Sequence, residues 1–243
     1  MRSFLGVLPP GPCSCGLSIL LFISGELQMD CGKNAFKYAR ACADRLEDED
    51  DEEKEEKKQE GQDPLLARML KTRTILLSGE INKTLAEKII RQLIILEDIG
   101  DDPIKILIDS PGGDADAGYA VFDMIRFVRP QVWTIGIGLV ASAAAIIQLA
   151  SPKERRLGLP NSHYLIHQPL SGIRGVATDI EIHARELEKL RAKINRLISG
   201  ETGVPHDQVE KDTDRDYWMN AEEAVKYGLI SRVVTKRDEL NKV

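Results

Sequence analysis

From Thr74 to Ile137 short β-branched runs alternate with longer helical ones, and this order leaves few folds open to the chain. Thr74-Ile-Leu-Leu77, Ile104-Lys-Ile-Leu-Ile108 and Val132 to Ile137 read as strands. Residues 83 to 98 read as an amphipathic helix whose buried face is Leu85, Ile89, Ile90, Leu93, Ile94 and Leu96. A second helix, capped by Asp114 and stopped by Pro130, turns Ala117, Val121, Ile125 and Val128 inward. Strands spaced this way build right-handed βαβ units and a mainly parallel sheet. One α/β domain over residues 64 to 236 is expected, without internal repeats.

Around this frame, Leu65 to Leu70 reads as a short helix and Leu165-Ile166 as a short strand. A long helix covers about 177 to 199, and His206 falls in a polar loop. Asn220-Ala-Glu-Glu223 resembles a capping box opening a helix that Gly228 ends, before a final strand from Ile230 to Val234. Residues 1 to 63 form an extension and 237 to 243 a tail. Ile19 to Ile23 is too short an apolar run to cross a membrane. Pro9, Pro10 and Pro12 interrupt any secretory leader, no clean cleavage site follows, and the favoured start of translation is Met29. Residues 33 to 46 have the pattern of a short helix. Glu47 to Glu60 is almost wholly acid and lysine, a solvated spacer that buries nothing; a partner-binding tail is the alternative.

Residues 44 to 63 hold the imbalance behind the formal charge of -6, acids and bases roughly cancel elsewhere, and no basic patch points to nucleic acid. Cys13, Cys15, Cys31 and Cys42 all precede the folded region. None has metal-ligand spacing with a nearby histidine, so neither a zinc site nor a disulfide framework is supported. A core without cysteine is compatible with a reducing compartment.

Chemistry concentrates where the third strand ends. Trp133 to Ile137 runs through Gly136 and Gly138 into Ser142 and then Ala143, Ala144 and Ala145. A serine where strand passes to helix lies near free backbone N–H groups, although most serines there are only caps. Ser110-Pro-Gly-Gly113 lacks the lysine and hydroxyl of a phosphate loop, and an oxyanion hole from the Gly113 and Ala143 amides fits better. His167, at the end of a short apolar strand and before Pro169, is the best-placed base. Alternation puts His163 on the same side, so it stays a competitor. Asp212-Thr-Asp-Arg-Asp216 offers three carboxylates, and Tyr217 and Trp218 behind it suggest a stretch packed well enough to bury an acid that orients an imidazole.

Ser110-Pro-Gly-Gly113, Ala141-Ser142-Ala143, Leu159-Pro-Asn-Ser162 with Ile166-His167-Gln-Pro169, Ala177 to Glu186, and Asp212 to Asp216 together resemble ClpP, the self-compartmentalising serine peptidase family, in unbroken order. The resemblance implies a ClpP/crotonase-type βαβ superhelix with a protruding handle helix. It implies Ser142 as nucleophile, His167 as general base, Asp216 as orienting acid, and Gly113 and Ala143 as oxyanion donors. It implies no metal or organic cofactor, since ATP is used by a partner. Expected partners are further copies or a ClpP paralogue in stacked heptameric rings, an AAA+ unfoldase such as ClpX, ClpA or ClpC, and unfolded polypeptides in the cytoplasm.

The seam Ile180, His183, Leu187, Leu190, Ile194 and Leu197 on the long helix is either ordinary burial or the family's ring-to-ring handle. Two departures stand out. The family usually follows its nucleophile with Met-Gly, where this chain has Ala143-Ala144, which reshapes the substrate pocket. The Glu/Lys-rich stretch also replaces the family's apolar N-terminal hairpin, as in a divergent second paralogue, which puts unfoldase docking in doubt. A latent ring subunit and a crotonase-type acyl-CoA enzyme are the competing readings.

Overall fold

The computed structural model describes residues 64–241, so the expectations for the leader, the 33 to 46 helix and the acidic stretch lie outside the described residues. The described part falls in one compact unit. Helix α1 (Pro64–Lys71) leads to β1 (Thr74–Ser78), α2 (Lys83–Ile99), β2 (Ile104–Ser110), α3 (Ala115–Phe127) and β3 (Val132–Ala141). Then come α4 (Ala143–Gln148), β4 (Arg156–Gly158), β5 (His163–Ile166), α5 (Ala177–Thr202) and α6 (His206–Asp212). The order closes with β6 (Tyr217–Asn220), α7 (Ala221–Tyr227) and β7 (Arg232–Val233).

The sheet runs β1-β2-β3-β4-β7, with β5 pairing both β3 and β6. All pairs are parallel except β5 with β6. β2 alternates, with Ile104, Ile106 and Ile108 wholly buried. Each contributes about 1.5–3 kcal/mol relative to exposure. Ile89, Leu93 and Leu96 of α2 pack with them. Asn82 and Asp114 cap α2 and α3 through their side chains, and Asn220 and Glu223 complete a capping box at α7.

β3 is the element that places the site. Its first half pairs with β4, Thr134 to Gly136 opposite Arg156 to Gly158. Its second half pairs with β5, Leu139 to Ala141 opposite His163 to Leu165. Between these halves the register with β2 slips after Ile108, and the Asp109 carboxylate fills the gap by accepting the Leu139 N–H at 2.9 Å. Gly138 is needed there, because a Cβ would stand 2.4 Å from Asp109 Oδ1.

Several expectations need correction. β3 continues four residues beyond Ile137, up to Ser142 itself. Ile94 is exposed on α2, whose inner face uses Ala86 and Gln92 instead. His206 opens a helix rather than lying in a loop. β4 and β6 carry too few residues to show a period, and the last strand holds only Arg232 and Val233.

Candidate active site

Ser142 has φ 56° and ψ −120°, a conformation that costs a non-glycine residue on the order of 1–3 kcal/mol. The neighbours impose it. The Ser142 N–H donates to the Leu165 carbonyl at 2.9 Å, and the Ser142 carbonyl accepts from Ala145 N–H at 3.0 Å. The side chain makes no capping hydrogen bond, so the hydroxyl is presented outward from a sharp strand-to-helix turn.

The β3–β5 register delivers the histidine. Ala141 lies level with Leu165, so His167, just past the end of β5, comes beside Ser142. Its Nε2 lies 2.8 Å from Ser142 Oγ, and its Nδ1 lies 3.1 Å from Asp216 Oδ1. β5 is flanked on both sides by strands, so this histidine stands at a strand end and not at a sheet edge. His163 is exposed at the other end of β5, and His183 instead bonds Ser171 Oγ at 2.7 Å.

Asp216 corrects the sequence reading, for its side chain is 61% exposed. The following strand buries only Met219, while Tyr217 and Trp218 face outward. Position, not burial, brings this carboxylate to the imidazole. The Gln168 N–H donates to the Thr213 carbonyl, and its side-chain amide donates to the Asp214 carbonyl, each at 2.6 Å. Buried Thr213 donates to Asn195 Oδ1 of α5 at 2.9 Å. The other two carboxylates are engaged elsewhere. Asp212 accepts from Tyr227 Oη at 3.0 Å, and burial together with that carboxylate pushes the Tyr227 phenol up. Asp214 pairs with Arg191 at 3.4 Å.

The glycines fit against this turn. A Cβ on Gly112 would lie 2.6 Å from Ser142 Cβ and 3.1 Å from the Ala143 nitrogen. Gly113, at φ +146°, meets Ile81, where a Cβ would fall 2.2 Å from the carbonyl oxygen. That bridge uses the Gly112 carbonyl and the Asp114 N–H. Among the described residues, neither the Gly113 nor the Ala143 N–H has an acceptor, so both are available to a ligand oxygen.

A groove of about 820 Å³ opens over Ser142 and His167, walled by Ile146 of α4 and by Leu187, Leu190 and Ile194 of α5. Glu201 holds the far end of α5 by accepting from Arg126 at 2.6 Å and from buried Arg156 at 2.9 Å. The arrangement can deprotonate a hydroxyl, attack a carbonyl and receive an oxyanion. Sequence reasoning missed Asp109, Gln168, Asn195 and Thr213, which act through contacts between distant elements and carry no local signal. Among the described residues no cluster of three or more metal-ligating groups occurs, and no helix is long and apolar enough to cross a membrane.

Residues 56–237 match the family described as Clp protease. The chain is 64% identical over 179 residues to ATP-dependent Clp protease proteolytic subunit 2 of Treponema denticola, covering 73% of this chain and 90% of that one. It is 51% identical over 174 residues to proteolytic subunit 3 of Rhizobium johnstonii, covering 72% and 90%. Among solved structures it resembles a mutant ClpP1 from Listeria monocytogenes, with TM-score 0.68 and 46% identity, over 72% of this chain and 99% of that one.

Proposed function

This chain belongs to the Clp protease family of serine endopeptidases, and on that premise we propose that Ser142, His167 and Asp216 are its catalytic triad, with Gly113 and Ala143 as oxyanion donors. The observation that carries this is the run of contacts from Ser142 Oγ to His167 Nε2 at 2.8 Å and from Nδ1 to Asp216 at 3.1 Å.

His167 takes the Ser142 proton as the hydroxyl attacks the scissile carbonyl. The Gly113 and Ala143 N–H groups receive the oxyanion, each lowering the barrier by about 3 kcal/mol. His167 then protonates the leaving amine, and a water activated by the same imidazole hydrolyses the acyl-enzyme. Asp216 keeps the Nδ1–H tautomer, which leaves Nε2 free to accept. No step calls for a metal or organic cofactor.

The wider setting extends the same reading. The chain works in stacked heptameric rings with copies of itself or with a ClpP paralogue. An AAA+ unfoldase such as ClpX, ClpA or ClpC spends the ATP and feeds in unfolded polypeptide, in the cytoplasm. Hydrolysis of a fluorogenic peptide by the full chain tests the chemistry. Turnover that disappears in Ser142→Ala supports it, and turnover that persists contradicts it. Activity that rises about tenfold or more when a paralogous ring is added would favour the mixed assembly.

A further inference from the structure

The groove that holds Ser142 has a charged feature the hydrolytic steps do not use. Lys193 Nζ of α5 sits 3.6 Å from the centroid of the Tyr119 ring of α3. Both residues line the groove together with Ser142, His167 and Ile194. Tyr119 is 8% exposed and packs edge-on against Phe122, so its ring is a fixed platform. Burial, with Asp123 nearby, pushes its phenol up to about 12, so it stays neutral and holds the ammonium by its face.

Among the remaining carboxylates and lysines of the groove, only Glu186 and Lys189 pair with each other. Asp114 accepts the Ala117 N–H as a helix cap, and Glu186 takes the Lys189 ammonium at 2.7 Å. Asp116 is exposed, as Lys193 is, and water and salt screen both charges. Among the described residues Lys193 has no carboxylate within 4.0 Å. An ammonium has three donors, and a ring face satisfies one side only.

We propose that Lys193, seated on Tyr119, is a specificity-determining residue that receives the carboxylate of an acidic side chain next to the scissile bond. Glutamate fits this chemistry, with methylenes along Ile146 and Ile194 and its charge at the ammonium. Lysine at that place meets a like charge. The inference rests on the proposed role of Ser142 in the same groove.

The test uses the full chain and three fluorogenic peptides that differ only in carrying Glu, Leu or Lys before the cleaved bond. Glu should exceed Lys in kcat/KM by about tenfold or more, and the preference should shrink as salt is raised. Lys193→Met should lower the Glu-to-Leu ratio about tenfold, while Lys193→Arg keeps it within about threefold. Tyr119→Leu, which removes the platform, should lower the ratio by an intermediate amount. Fluorophosphonate labelling of Ser142 in every variant separates the two readings. Labelled protein whose ratio ignores Lys193→Met overturns the specificity role alone. Absence of labelling in folded, ring-sized wild type, even with a paralogous ring present, overturns the Ser142 reading and this inference with it.

Discussion

Ser142 is held in a backbone conformation that its own side chain does nothing to stabilise, and the bonds it donates to Leu165 and accepts from Ala145 maintain it. Replacement by alanine keeps those bonds and removes the hydroxyl. Ser142→Ala should fold normally by circular dichroism yet lose peptide hydrolysis by about 10⁴-fold or more. Asp216 is a softer case. Because its carboxylate is mostly in water, Asp216→Asn should lower kcat by about 10²–10³-fold, less than the ~10⁴ typical of a buried triad acid. A steady-state assay on both variants checks the order. The strand ends made Ser142 and His167 candidates, with His163 still competing, and the family resemblance singled them out together with Asp216 among three carboxylates. Its exposure was not legible, because two aromatics after an acidic run say nothing about which way a four-residue strand faces.

Among the elements, β3 carries the longest share of the design. Gly138→Ala would drive a methyl into Asp109 and break its bond to Leu139. Urea unfolding should show a loss of about 1–3 kcal/mol, with activity falling as the turn at Ser142 shifts. Tyr164 of β5, wholly buried, packs its hydroxyl against Gly136 and Gly158, and burial raises its pKa from 10.0 to about 12. A raised pKa in the folded state means the stability is complete below pH 10. It is lost as pH climbs through about 12, by on the order of 3 kcal/mol. Tyr119 and Tyr227 shift in the same direction, so Tyr164→Phe should remove one share of the alkaline loss seen by urea titration. The alternation of strand and helix was readable because α2, α3 and β2 are long enough to show a period. β4, β6 and α6 are not, and their pairing is decided by partners far away in sequence.

At the scale of the molecule, α5 is the feature that a single copy leaves unfinished. Of its 26 residues only Ile194, Asn195, Ile198 and Thr202 are buried, while Ile180 and Ile182 are 44% and 53% exposed. Leu170 and Val176 on the preceding segment are exposed as well. Ile180 and Ile182, two positions apart, point to different sides of the helix, and exposed apolar side chains on both sides suit the proposed stacking of rings. The double variant Ile180→Asp, Ile182→Asp should keep its circular dichroism spectrum and fall to smaller assemblies by native mass spectrometry. An unchanged native mass would contradict that role for α5.

The claim that Ser142, His167 and Asp216 form an operating triad meets its most direct test in intact-mass analysis of the full chain after exposure to a fluorophosphonate, beside Ser142→Ala. One adduct on the wild type, mapped to Ser142 and absent from the variant, is the predicted result. Folded, ring-sized protein that stays unlabelled, even with a paralogous ring present, would contradict it.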